Sequence, residues 1–133
     1  MKKTLMLAVF ILLGLSGIKT ELFAQSQPVL YFCAAFESGG EKNISDRFYL
    51  GPVIVVVRCD YVILAKKVTV QFDKYSGADF EYYKALNFNI KAGTKYTYFT
   101  DVDMRIDEPG IYRCFMLDEN RNTIASAIVE FVK

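Results

Sequence analysis

The stretch "PGIYRC" at residues 109–114 decides how the rest of the chain is read. Pro109-Gly110 is a turn signal. The run behind it alternates, placing Tyr112, Cys114 and Met116 on one face of an extended strand and Ile111, Arg113 and Phe115 on the other. Outward from this point the same period of two recurs. "PVIVVVRCD" (52–60) sets Val53, Val55, Val57 and Cys59 on one face. "KVTVQFDKY" (67–75) turns Val68, Val70 and Phe72 inward. "FEYYKALNFNI" (80–90) puts Phe80, Tyr82, Leu86, Phe88 and Ile90 on the inner face, with Lys84 interrupting it, so this strand is expected to bulge or to lie at an edge. A helical reading of "DFEYYKALNF" fits the spacing less well.

With "PVLYFCAAF" (28–36), "KYTYFTDV" (95–102) and "IASAIVEFV" (124–132), the chain shows about seven β-rich segments separated by turn signals. The expected class is all-β, an antiparallel two-sheet sandwich of about seven strands. "ESGGEKNISDRF" (37–48) reads as a solvated loop containing the sequon Asn43-Ile44-Ser45.

The front of the chain differs from the rest. "MKK" followed by "TLMLAVFILLGLSG" and a polar stretch is the layout of a secretory signal peptide, expected over residues 1–25 with cleavage near Ala24 or Gln25. The apolar run is short for a membrane span. Residues 26–133 then form a single β domain, exported to the periplasm, the cell surface or the medium of a bacterium, with no stable membrane span after cleavage. Cys33 follows the bulky Tyr31 and Phe32, unlike a lipidated cysteine. Cys33, Cys59 and Cys114 would meet an oxidising compartment, where two are expected to pair.

Gly110-Ile111-Tyr112-Arg113-Cys114 resembles the tyrosine corner of the immunoglobulin fold. The resemblance implies an Ig-like sandwich in which the Tyr112 hydroxyl bonds back to the backbone near Asp107, with Gly110 and Tyr112 as the structural corner. It also places Cys59 and Cys114 where a bridge would join the two sheets, while a Cys33–Cys59 link between the first two segments stays open. The chain has no tryptophan, so Phe72 is expected to fill the core position that a tryptophan takes in that family.

The chemistry is sparse. With zero histidines, the commonest general base and metal ligand is missing. No nucleophile motif or phosphate loop is present, so no enzyme activity and no cofactor are expected. A net charge of +1 without a basic run argues against a nucleic-acid partner. Asp101, Asp103, Asp107 and Glu108 form an acidic group that offers a calcium candidate or, more simply, a set of turn-forming carboxylates. Nine tyrosines and eleven phenylalanines exceed what one small core needs, and Tyr75, Tyr83 and Phe99 are the candidate binding surface by alternation. The expected function is a non-catalytic binding or structural interaction module for a protein or glycan partner in the cell envelope or outside the cell. Two alternatives are a carbohydrate-binding module using exposed tyrosines and a small exported protease inhibitor presenting the loop 37–47.

Overall fold

In the computed structural model, which describes residues 27–133, the chain is all-β and has no helix among the described residues. The expected signal peptide at 1–25 lies outside them. Each of the apolar alternating runs forms a strand: β1 Val29–Cys33, β6 Ile54–Arg58, β7 Lys67–Tyr75, β8 Phe80–Asn89, β9 Tyr96–Phe99, β11 Gly110–Leu117 and β12 Thr123–Val132. Five further strands of two or three residues appear: β2 Ala35–Glu37 splits off the end of the expected first strand, and β3 Gly40–Lys42, β4 Arg47–Tyr49, β5 Gly51–Pro52 and β10 Arg105–Ile106 lie in or beside expected loops. The count of seven is therefore corrected to twelve, because local backbone pairing satisfies connecting segments too polar to announce themselves by hydrophobic period.

These strands make four sheets. One has the order β1-β6-β9, another β4-β12-β11-β7-β8, and β10-β5 and β2-β3 form two-stranded pairs. All pairings are antiparallel except β4 with β12, which is parallel. The two larger sheets feed one apolar core. Leu30, Phe32, Val55, Val57 and Phe99 enter it from the three-stranded sheet. Val70, Phe72, Tyr112, Cys114, Met116 and Phe131 enter it from the five-stranded sheet. Phe72 is fully buried and paired across the ladder with Cys114, so the core closes around a phenylalanine without a tryptophan.

Tyr112 is buried, and its hydroxyl donates to the Glu108 carbonyl at 2.7 Å, one residue from the expected acceptor. Gly110 takes a φ of 151°, a conformation that side chains rarely adopt, and a Cβ there would come 3.1 Å from the flexible Lys74 side chain. This glycine lets the chain turn tightly enough for Tyr112 to reach back.

β8 both bulges and forms the edge. The register shifts between Phe72 and Asp73, leaving Tyr83 without a ladder partner, and among the described residues no strand pairs with the outer side of β8. The bulge resets the alternation, so Tyr82 points out and Tyr83 in. Lys84 stays partly covered, its Nζ donating to the carbonyls of Asp103 at 3.1 Å and Arg105 at 2.7 Å. An inward lysine on an edge strand also discourages further strand addition.

The disulfide expectation is corrected. Cys33, Cys59 and Cys114 are all buried free thiols. Cys114 sits in mid-strand between Phe72 and Ala127, whereas Cys59 follows β6, its N–H donating to the Lys95 carbonyl at 2.7 Å. The segment 61–65 that follows Cys59 lines a cleft with Asp118 and Thr123 at the β11–β12 hairpin. Burial pushes all three thiols above their ordinary pKa, most strongly Cys114.

Two measurements test this account. Tyr112→Phe should keep the ring and lose one hydrogen bond, costing about 1 kcal/mol and roughly 5 °C in Tm. Tyr112→Ala should cost about 3–5 kcal/mol. A Tyr112→Phe protein melting with the parent would remove the hydroxyl from the account. Alkylation followed by non-reducing peptide mapping should recover Cys114 as a free thiol that reacts only after denaturation; a Cys59–Cys114 peptide would overturn this assignment.

Candidate functional site

On β1, β6 and β9 the residues facing away from the main core form cross-strand rows. Tyr31, Val56 and Tyr98 make one row, and Val29, Arg58 and Tyr96 the next. Val56 and Cys33 on this face are apolar and would be wet, yet both are fully buried. The cover is the β2–β3 hairpin, which folds back across the sheet. "ESGGEK" permits this because Ser38-Gly39 makes a two-residue connection and Gly40 takes a φ of 100°.

The hairpin brings two opposed residues, Phe36 and Glu41, onto the sheet. Phe36 stacks on Tyr98 with ring centroids 4.2 Å apart. The Glu41 carboxylate oxygen Oε1 accepts from Tyr31 Oη at 2.5 Å, Tyr96 Oη at 2.6 Å and Arg58 Nη2 at 3.3 Å. Arg58 in turn lies over the Tyr96 ring at 4.9 Å and near the Tyr31 ring at 5.9 Å. The hydroxyls of Tyr31 and Tyr96 hold the Glu41 carboxyl down to about 2. Burial, and then the bond to Glu41, push the Tyr31 hydroxyl up to about 12. The Glu41 side chain is only 12% exposed, whereas Arg58 is 61% exposed and Tyr96 and Tyr98 are 40% and 45% exposed. The result is a fixed aromatic surface with one cation held at its centre.

The residues singled out by alternation lie elsewhere. Phe99 is 3% exposed and packs on Phe88 at 4.9 Å inside the core. Its row partner is the inward Val55, so β9 has the opposite phase from the one expected. Tyr83 turns inward at the bulge, meets Tyr112 edge-on at 5.1 Å, and its hydroxyl accepts the Asp107 N–H at 3.4 Å. Tyr75 is exposed, but it pairs with Phe80 at the turn that ends β7. The three do not share one surface.

The acidic group is also dispersed. Asp101 Oδ1 accepts the Asp103 N–H at 2.9 Å, Asp107 pairs with Arg105 at 2.9 Å, and Glu108 pairs with Lys74 at 2.8 Å. Among the described residues, no three His, Cys, Asp or Glu side chains converge on a point that could hold a metal ion. The calcium candidate is corrected accordingly: the carboxylates of Asp101, Asp107 and Glu108 each have a separate partner.

No protein-family model, curated protein or solved structure matches the chain. The surface therefore has to be argued from its own chemistry. Sequence reasoning missed Glu41 because residues 37–48 read as a solvated loop, and Phe36 because it read as the end of the first strand. Their signal was a two-residue glycine turn with a phenylalanine and a glutamate at matched distances from it.

Glu41 gives this surface an acid limit. Its carboxyl, ordinarily near 4.5, is lowered in the fold, so hairpin docking is complete above that value and weakens as pH falls toward about 2. Amide exchange at Ala34, whose N–H donates to Lys42 at 3.1 Å, should accelerate across that window. Glu41→Gln should abolish the pH dependence and lower protection at neutral pH. An unchanged acid profile in Glu41→Gln would detach Glu41 from the hairpin.

Proposed function

We propose that the protein is an exported, non-catalytic interaction module with an Ig-like two-sheet sandwich fold. The sheet orders support the architecture: β1-β6-β9 corresponds to A-B-E, and β12-β11-β7-β8 to G-F-C-C′. The corner bond from Tyr112 to Glu108 supports it as well. The basic start and apolar run of residues 1–17 support export. A non-catalytic role is supported by the absence of histidine from the sequence and by the burial of all three thiols.

The observation that carries the functional reading is the preformed surface of Tyr31, Phe36, Arg58, Tyr96 and Tyr98. Tyrosine and arginine dominate the energetics of protein interfaces. Here their side chains are already held by one another and by Glu41, so little conformational freedom is left to lose on binding. A protein partner outside the cytoplasm fits this surface better than a glycan, because Phe36 already occupies a face of Tyr98 and Arg58 a face of Tyr96. Residues 37–47 include the hairpin pinned through Glu41, which gives the inhibitor reading no projecting loop.

Affinity capture from envelope extract checks the proposal. Arg58→Ala and Tyr98→Ala should each weaken retention of the captured partner by about thirtyfold, the scale of a 2 kcal/mol hot spot. Ile128→Ala, at an exposed position on the other large sheet, should leave it unchanged. Equal retention by all three variants would sink this surface as the binding site.

A further inference from the structure

One end of the molecule carries a second feature. Beyond β6, the segment 61–65 runs on without pairing as a strand: Ile63 is buried, while Tyr61 is 52%, Val62 36% and Leu64 90% exposed. The segment is held in place at several points. Ile63 N–H donates to Thr94 at 2.8 Å, Ile90 N–H donates to Lys66 at 2.8 Å, and Glu119 Oε1 accepts the N–H groups of both Lys66 and Lys67 at 2.8 Å. Leu64 is thus presented by a fixed loop, beside a cleft of about 350 Å³ lined in part by Gln27, Pro28 and Ile124.

The same hydrogen bonds draw a ring of charge around this tip. Lys66 and Lys67 leave the loop, and Lys91 and Lys95 flank Thr94; all four are exposed. None of the four ion pairs among the described residues uses them. Three carboxylates share this end, Asp60 beside Tyr61, Asp118 on the N–H groups of Asn120 and Asn122, and Glu119 on those of Lys66 and Lys67, and the four lysines outnumber them. The opposite end, where β7 stops at Tyr75 and β11 starts at Gly110, holds Asp79, Asp101, Asp103, Asp107 and Glu108. Glu108 and Asp107 are offset there by Lys74 and Arg105, whereas the four lysines at the loop end have no such partners among the described residues.

We infer that the end formed by residues 61–67, 91–95 and 118–123 seats on an anionic lipid surface, with Leu64, Val62 and Tyr61 entering the headgroup region and the four lysines facing the phosphates. An exposed leucine ringed by unpaired lysines is complementary to a bilayer surface, where apolar burial and phosphate attraction act together. The tyrosine suits the boundary, being apolar in its ring and polar at its tip. The course of the chain agrees. β1 begins at Val29 opposite Arg58, so the start of the proposed exported domain at Gln27 lies at this same end.

The chain has no tryptophan, so single tryptophans report cleanly. Leu64→Trp and Val102→Trp place one at each end; both native side chains are almost fully exposed, so neither replacement disturbs the core. The mature chain, residues 26–133, is combined with vesicles of phosphatidylglycerol and phosphatidylethanolamine, or of phosphatidylcholine alone. The expected result is a blue shift and quenching by brominated lipid for Leu64→Trp on the anionic vesicles, and neither for Val102→Trp. Adding Lys66→Ala and Lys91→Ala should reduce the lipid-contacting fraction about 25-fold, at about fivefold per lysine. The inference is overturned by equal quenching of the two tryptophans, by equal response on phosphatidylcholine, or by a shift that follows protein concentration without vesicles, which would mark a second copy as the occupant.

Discussion

Tyr112 is the joint on which the arrangement of the larger sheets depends. It is the largest fully buried side chain, and it meets Tyr83 edge-on at 5.1 Å and Phe131 edge-on at 5.7 Å. A ring of this size inside a core must find a partner for its hydroxyl, because a buried hydroxyl left without one costs several kcal/mol by order of magnitude. The chain supplies the Glu108 carbonyl from the turn immediately upstream, which fixes where β11 may begin. Once β11 is fixed, its ladders to β7 and β12 set the register of the central part of the five-stranded sheet. Burial of the hydroxyl is also what pushes its proton affinity up most, so the group stays a donor throughout the accessible pH range.

A second constraint comes from the three-stranded sheet, which is apolar on both faces. Leu30, Phe32, Val55 and Val57 take one face, and Cys33 and Val56 the other. A sheet of this kind needs cover twice. The main core covers one face, and the short β2–β3 hairpin covers the other. The hairpin is small and has few apolar groups, so one carboxylate accepting two phenols and a guanidinium fastens it. The aromatic surface follows from that fastening: the groups that hold the hairpin down are the groups left partly facing solvent.

Much of the fold was legible in the sequence because the seven long strands bury alternate residues, and burial is what a hydrophobic period records. Lys84 shows how local the information can be, since one charge on an inner face foretold both a bulge and an edge. The site was far less legible. Phe99 and Tyr83 were misplaced for two distinct reasons. β9 is only four residues long, too short to fix its own phase, and the bulge at Tyr83 shifted the alternation by one residue between Tyr82 and Lys84. Cys59 and Cys114 share the right parity for a bridge, but parity speaks only to which face a residue occupies. Parity does not record height along the strands, and in the fold all three thiols stay free.

The glutamates show why polar segments hide their roles. Glu41, Glu108 and Glu119 read alike in sequence, each a charged residue within a turn-rich stretch. In the fold Glu41 joins a hairpin to a sheet, Glu119 fastens the loop after β6 to the β11–β12 hairpin, and Glu108 offers its backbone carbonyl to Tyr112 while its side chain pairs with Lys74. All three act across long sequence separations or through the main chain, where no short-range pattern records them. In a domain whose core is apolar and whose thiols are unbridged, a few such carboxylates govern where the connecting segments lie. They therefore also govern which surfaces a partner can meet.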